Sequence, residues 1–217
     1  MNINLSQKVL NTYIDFKSPY AYLSVEPTRI FAKDLNLEIN WIPYVLEIPD
    51  YLGSAKVDDK NNIIESNRNE HQWRRVRYSY MDCRRYANLR NITVLGPKKI
   101  WNSKLTAIAL LWVKNEAPDL ISNFIDHVFY KFWKRELDIE SLNEIKNIFD
   151  KYKISTSNFE KWSKNEGDKE LKLIRTEAHK NGVFGVPSYY INKDLFWGRE
   201  QLTYIKAKLT NDYSNIY

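Results

Sequence analysis

The stretch Val9-Leu10-Asn11-Thr12-Tyr13-Ile14-Asp15-Phe16-Lys17-Ser18-Pro19-Tyr20-Ala21-Tyr22-Leu23 decides the fold, because a strand hands over to a helix inside it. Residues 9–16 are rich in β-branched and aromatic side chains with rough alternation, the composition of a half-buried strand. Ser18 then offers a helix-capping oxygen, and Pro19 fits the first helical turn, where its missing N–H costs nothing. The helix runs on through Ala21, Leu23, Ile30, Phe31 and Leu35, although Pro27 removes one of its backbone bonds and is expected to kink it. A second strand over residues 37–42 stops at Pro43, which makes the whole the start of a βαβ unit with a right-handed crossover.

Working outward, the pattern changes to helical periodicity from about residue 66 to residue 162. Its clearest part is the apolar stripe Leu120, Ile121, Phe124, Ile125, Val128, Phe129, Phe132 and Trp133. Asp138 is expected to cap the next helix, and Ser157 to Glu160 has capping-box spacing. A helix from about residue 168 to 180 stops at Gly182. After it, residues 188–192 read as a strand, Lys193-Asp194 as a tight turn, and Leu195-Phe196-Trp197 as the hairpin partner. A last helix follows Gly198. The economical reading is an α/β domain built from both chain ends, residues 8–50 and 168–211, interrupted by a helical insertion over residues 51–167.

The 217 residues carry 43% hydrophobic and 28% charged side chains, enough for a real core and without the signature of disorder. No apolar run is long enough to span a bilayer. Met1 to Lys8 lacks the pattern of a secretory leader, so the expected location is cytoplasmic and no membrane partner is expected. The single cysteine, Cys83, excludes an internal disulfide and a C-x-x-C redox pair. It falls in a basic helix, where an ordinary half-buried thiol is expected rather than an activated one. His71, His127 and His179 are too scattered to propose a metal site, and no Gly-rich phosphate loop exists among six glycines.

The net charge of +6 favours anionic partners. Much of the excess lies in Arg74, Arg75, Arg77, Arg84, Arg85, Arg90, Lys98 and Lys99. A solvated helix face explains such a cluster first, a vestibule for a small anion second, and nucleic acid, which is not expected, last.

At Ser18-Pro19 the main-chain N–H groups and the positive end of the helix favour an anion beside the serine. A hydroxyl there can donate to a thiolate and favour its ionised form. The bland alternative is a plain N-cap. A second motif, Gly182-Val183-Phe184-Gly185-Val186-Pro187-Ser188, places before a strand a proline that cannot supply a ladder donor, so an edge or a cis bend is expected.

Asp15 to Leu23, Gly182 to Ser188, and Phe196-Trp197-Gly198-Arg199-Glu200-Gln201-Leu202 resemble, in order and separation, the signature blocks of the 2-hydroxychromene-2-carboxylate isomerase and kappa-class glutathione transferase family. The resemblance implies a thioredoxin-like fold with a large all-helical, DsbA-like insertion, in which serine replaces the redox cysteine. It further implies glutathione as cofactor, with Ser18 as the catalytic residue holding its sulfur. Contacts to glutathione are implied at Ser18, Asn67, Val186, Pro187, Trp197 and Glu200, and to substrate at Tyr20 and Asn102. The Val186 main chain would pair with the cysteinyl part of the tripeptide.

The third block departs from the family pattern of Gly, Ser or Asn, Asp and Arg, since here it reads Gly198-Arg199-Glu200-Gln201. That shifts the carboxylate expected to meet the γ-glutamyl ammonium. The expected activity is isomerisation of 2-hydroxychromene-2-carboxylate or a related unsaturated aromatic acid by reversible thiolate addition, with a homodimer as a further expectation of the resemblance. A kappa-like transferase or peroxidase, and a non-catalytic thioredoxin-fold binding module, stand as alternatives.

Overall fold

The computed structural model describes residues 9–214 and residue 216; the Met1 to Lys8 reading and the expected domain start at residue 8 lie outside the described residues. The described residues divide into two compact units, one formed by those up to 44 and from 172 onward and the other by residues 45–171.

The first unit holds strands β1 (Val9–Ile14), β2 (Glu38–Pro43), β5 (Ser188–Ile191) and β6 (Asp194–Trp197) in the order β2-β1-β5-β6. β1 runs parallel to β2, with Tyr13 opposite Ile42, and antiparallel to β5, with Tyr13 opposite Ser188. Helix α1 (Pro19–Asp34) supplies the crossover between β1 and β2. Ser18 is its N-cap and Pro19 its first residue, and Pro27 lies inside it. Together with α9 (Gln201–Thr210), α1 closes a core of Leu10, Phe31, Tyr189, Ile191, Leu202 and Ile205.

Near the far end of the chain, α8 (Glu166–Lys180) stops in a Schellman arrangement. Gly182 has φ +80°, and the Gly182 and Val183 N–H groups donate to the His179 and Ala178 carbonyls at 3.0 and 2.9 Å. The β5–β6 hairpin turns one residue earlier than the sequence indicates. Asn192 and Lys193, not Lys193 and Asp194, occupy the turn, both with positive φ, and Asp194 begins β6. That backbone matches the twist of a two-residue hairpin, and asparagine tolerates it well.

The second unit contains α2 (Ile48–Leu52), α3 (Glu70–Leu89), α4 (Lys104–Glu116), α5 (Ile121–Trp133), α6 (Leu142–Tyr152) and α7 (Phe159–Lys164). It is not helical throughout: β3 (Ala55–Val57) and β4 (Ile63–Ser66) pair as an antiparallel hairpin. Their short run lacks buried alternation, since every residue of β4 is exposed, so hydrophobic periodicity could not reveal it. Of the apolar stripe, Phe124, Ile125, Val128, Phe129, Phe132 and Trp133 are buried on α5, while Leu120, which lies before the helix, and Ile121, which opens it, are half-buried. Phe149 of α6 meets Phe124 and Phe159 at ring-centroid distances of 6.0 and 4.8 Å.

Two caps differ from the sequence reading. Ser141, not Asp138, caps α6, because its Oγ accepts the Glu144 N–H, while Asp138 Oδ1 accepts the Glu140 N–H one turn earlier. Asn158, with left-handed backbone and no side-chain bond, precedes α7 in place of a Ser157–Glu160 capping box. A true capping box opens α3, where Asn69 and Gln72 bond reciprocally.

Candidate functional site

The antiparallel pairing of β1 with β5 brings the exit of the first strand and the entry of the fifth to one end of the sheet. Ser18 follows the former by four residues, and Val186-Pro187 immediately precedes the latter. The Val186–Pro187 peptide bond is cis, and both residues are buried. β5 is an interior strand, so the cis bend, not an edge, is how this proline is accommodated.

The Ser18 turn is tightly wired. Its N–H donates to the Asp15 carbonyl at 2.9 Å, its carbonyl accepts the Tyr22 N–H at 3.1 Å, and its Oγ accepts the Ala21 N–H at 3.2 Å. Because Oγ is the acceptor in that bond, the hydroxyl hydrogen remains available for donation. Ser18 is 5% exposed. Tyr20, in the first turn of α1, is half-buried.

Two charged side chains in the same turn are buried, which their sequence context does not reveal. Asp15 is 3% and Lys17 7% exposed. Asp15 Oδ1 accepts the Lys17 main-chain N–H at 3.1 Å, and Asp15 Oδ2 faces Lys17 Nζ at 3.6 Å, an ion pair beyond hydrogen-bonding distance.

The opposite wall is anchored from several sides. Tyr44 Oη donates to the Val183 carbonyl at 3.2 Å, which leaves His179 Nε2, also at 3.2 Å, as donor to the phenol oxygen. Ser188 Oγ donates to the Gly185 carbonyl at 2.7 Å and closes the turn around Val186-Pro187. The Gly198 N–H donates to the Pro187 carbonyl at 2.9 Å. Gly198 has φ +105°, and a Cβ there would collide with the Glu200 carboxylate, which therefore folds back beside the residue tied to Pro187. Trp197 and Phe184 pack at a ring-centroid distance of 5.0 Å and stay solvent-exposed at the same end of the sheet.

Thus Ser18, Val186, Pro187, Trp197 and Glu200 share one end of the first unit. Asn67 and Asn102 belong to the second unit, where each is tied locally. Asn67 Oδ1 accepts both the Ser54 N–H at 2.7 Å and the Ser54 hydroxyl at 3.3 Å, which fills its two lone pairs. Asn102 Oδ1 accepts the Lys104 N–H at 3.0 Å, and its main-chain N–H donates to Glu140 at 2.6 Å. Asn102 also lines a cavity of about 510 Å³ with Lys104, Ile108, Glu140, Ser163 and Asp168, all within the second unit. Cys83 is fully buried rather than half-buried, which matches an inert structural thiol.

Sequence reasoning missed Asp15, Lys17 and Phe184. A charged residue between strand and helix reads as surface, and only packing buries it. The position of Phe184 two residues before Val186 was the available signal.

Comparison with known proteins now adds to this geometry. The chain is 23% identical over 207 residues to a 2-hydroxychromene-2-carboxylate isomerase of Sphingobium xenophagum, covering 93% of this chain and 98% of that protein. It is 25% identical over 207 residues to one of Pseudomonas putida, covering 93% and 94%. Among solved structures, a 2-hydroxychromene-2-carboxylate isomerase superposes with TM-score 0.72 at 20% identity, covering 94% of this chain and 95% of that one. A probable DsbA oxidoreductase from Streptomyces coelicolor gives 0.70 at 12% identity, covering 96% and 91%. The family model for the DSBA-like thioredoxin domain matches residues 9–210, nearly the entire described chain. With a sheet of order β2-β1-β5-β6, a cis proline at the same sheet end as a capped first helix and a largely helical second unit, the chain belongs to the DSBA-like thioredoxin domain family.

Proposed function

We propose that this protein is a glutathione-dependent isomerase of 2-hydroxychromene-2-carboxylate or a related unsaturated aromatic acid. The observation that carries the reading is a serine hydroxyl, capped and buried at the mouth of α1, at the same sheet end as Val186-Pro187, in a chain whose curated relatives are isomerases.

The residues present fit glutathione. Ser18 has a hydroxyl hydrogen to donate to sulfur, the Val186 main chain lies where a short extended peptide can pair, and the Glu200 carboxylate beside Gly198 suits an ammonium group. Bound glutathione would supply the thiolate that adds to the conjugated system, permits rotation about the former double bond and leaves again. Ser18 holds the sulfur as the anion by hydrogen bonding, and the positive end of the α1 dipole stabilises that charge before any reaction occurs. Phe184 and Trp197 offer aromatic surface at the same end of the sheet.

The test is a titration with reduced glutathione followed by thiolate ultraviolet absorbance, then turnover of 2-hydroxychromene-2-carboxylate with product analysis. An isomer with glutathione recovered supports the reading. A stable glutathione conjugate places the protein among transferases instead, and no glutathione binding removes the proposal.

A further inference from the structure

Lys17 is a buried lysine directly preceding the serine that caps α1, and the Asp15 carboxylate stands 3.6 Å from its ammonium. An ammonium has three N–H donors, and at this distance none of them makes a hydrogen bond to the carboxylate. Asp15 itself is committed elsewhere, with Oδ1 taking the Lys17 main-chain N–H and its carbonyl taking the Ser18 N–H.

As a device for stability the pair is poor. Removing two charges from water costs more than a loose ion pair returns, and apolar replacements of similar volume are often neutral or better. As a device for holding a negative charge it makes sense. A fixed cation in a desolvated turn acts at low effective dielectric, and it adds to the positive end of α1 rather than opposing it.

We propose that Lys17 is a positioning residue for the anion held at Ser18: its buried ammonium, kept in the turn by Asp15, raises the thiolate fraction of the ligand that Ser18 binds. This rests on the glutathione reading above. Lys17 acts through the field it sets at the Ser18 hydroxyl, and Asp15 keeps that cation from swinging out to solvent.

The test compares wild type with Lys17→Met, Asp15→Asn and the double variant Asp15→Asn/Lys17→Met, using reduced glutathione as the probe. Lys17→Met alone leaves a buried carboxylate uncompensated and can fail to fold. The double variant replaces a neutral pair by a neutral pair and keeps the Oδ1 acceptor. Two readouts are taken on each folded variant: glutathione affinity by calorimetry and the thiolate absorbance of the bound tripeptide near neutral pH. The expected result is a double variant that binds glutathione within about threefold of wild type while its bound thiolate fraction falls roughly fivefold or more, the scale of about one pKa unit. Asp15→Asn, which keeps the cation, is expected to retain or increase the thiolate fraction. A double variant with wild-type thiolate absorbance overturns this inference and leaves the glutathione reading standing. Wild-type protein that takes up no glutathione overturns both.

Discussion

The indole of Trp197 lies against the backbone of Gly185, so close that a Cβ on that glycine would stand 2.7 Å from Nε1. An exposed aromatic pair, Trp197 on Phe184, is thereby seated by the absence of a side chain, one residue before Val186. Gly185→Ala is expected to push the indole off this seat at a cost of about 1–3 kcal/mol, the usual range for overpacking. Chemical denaturation measures the loss, and the change in tryptophan emission, with Trp197→Phe as reference, assigns it. Unaltered stability and emission would mean that the ring relocates freely.

Ser18 has two duties that substitution can separate. Ser18→Ala removes the acceptor of the Ala21 N–H and is expected to cost about 0.5–2 kcal/mol, whereas Ser18→Gly costs roughly a few tenths, because glycine is tolerated at an N-cap. Both lose the hydroxyl, so both are expected to lose the thiolate absorbance of bound glutathione. Urea unfolding beside that titration checks the split; a glycine variant with full thiolate signal would reduce Ser18 to a cap.

Under the sheet, Thr28 Oγ1 donates to the Ser24 carbonyl at 2.7 Å, so the Tyr189 hydroxyl, 3.0 Å away, must be the donor to Thr28. Tyr189→Phe therefore leaves Thr28 satisfied and is expected to cost about 1 kcal/mol. Thr28→Val removes this acceptor and leaves the buried phenol with the Ser24 side chain as partner, so it too is expected to cost about 1 kcal/mol. Burial, the first cause, pushes the Tyr189 phenol up from 10.0 to about 12. A phenol that ionises later in the folded state favours folding below pH 10.0 and loses that advantage as pH rises from 10.0 toward about 12. Alkaline melts of wild type and Tyr189→Phe should converge across that window.

In the second unit, burial and then the nearby Lys151 and Lys131 hold the His127 imidazole below its usual 6.5. The unfolded chain thus takes up this proton first on acidification. Stability contributed by neutral His127 is complete above pH 6.5 and falls as pH drops through the lowered folded value. Melting temperature against pH is expected to decline less on the acid side for His127→Gln than for wild type. Parallel acid limbs would remove His127 as a cause.

Local chemistry made a good part of this protein legible. The β-branched run before Ser18-Pro19 could only be a strand entering a capped helix, and α5 carries its apolar stripe at a period that only a helix buries on one side. Asp138 reads as a cap that Ser141 takes, since a side chain three residues upstream of the true cap can form its own local turn. The β3–β4 hairpin stayed hidden because β4 is exposed throughout and β3 is only three residues long with none buried.

From its sequence alone the protein was set to place a serine at a helix mouth and a proline before a strand, because caps and proline act on their immediate neighbours. Bringing those two motifs to one end of a sheet required the Tyr13 to Ser188 pairing, a contact across most of the chain that no local preference encodes. The burial of Asp15 and Lys17 was likewise a tertiary outcome. A side chain's charge is written in the sequence, but the dielectric around it is set by whatever packs against it.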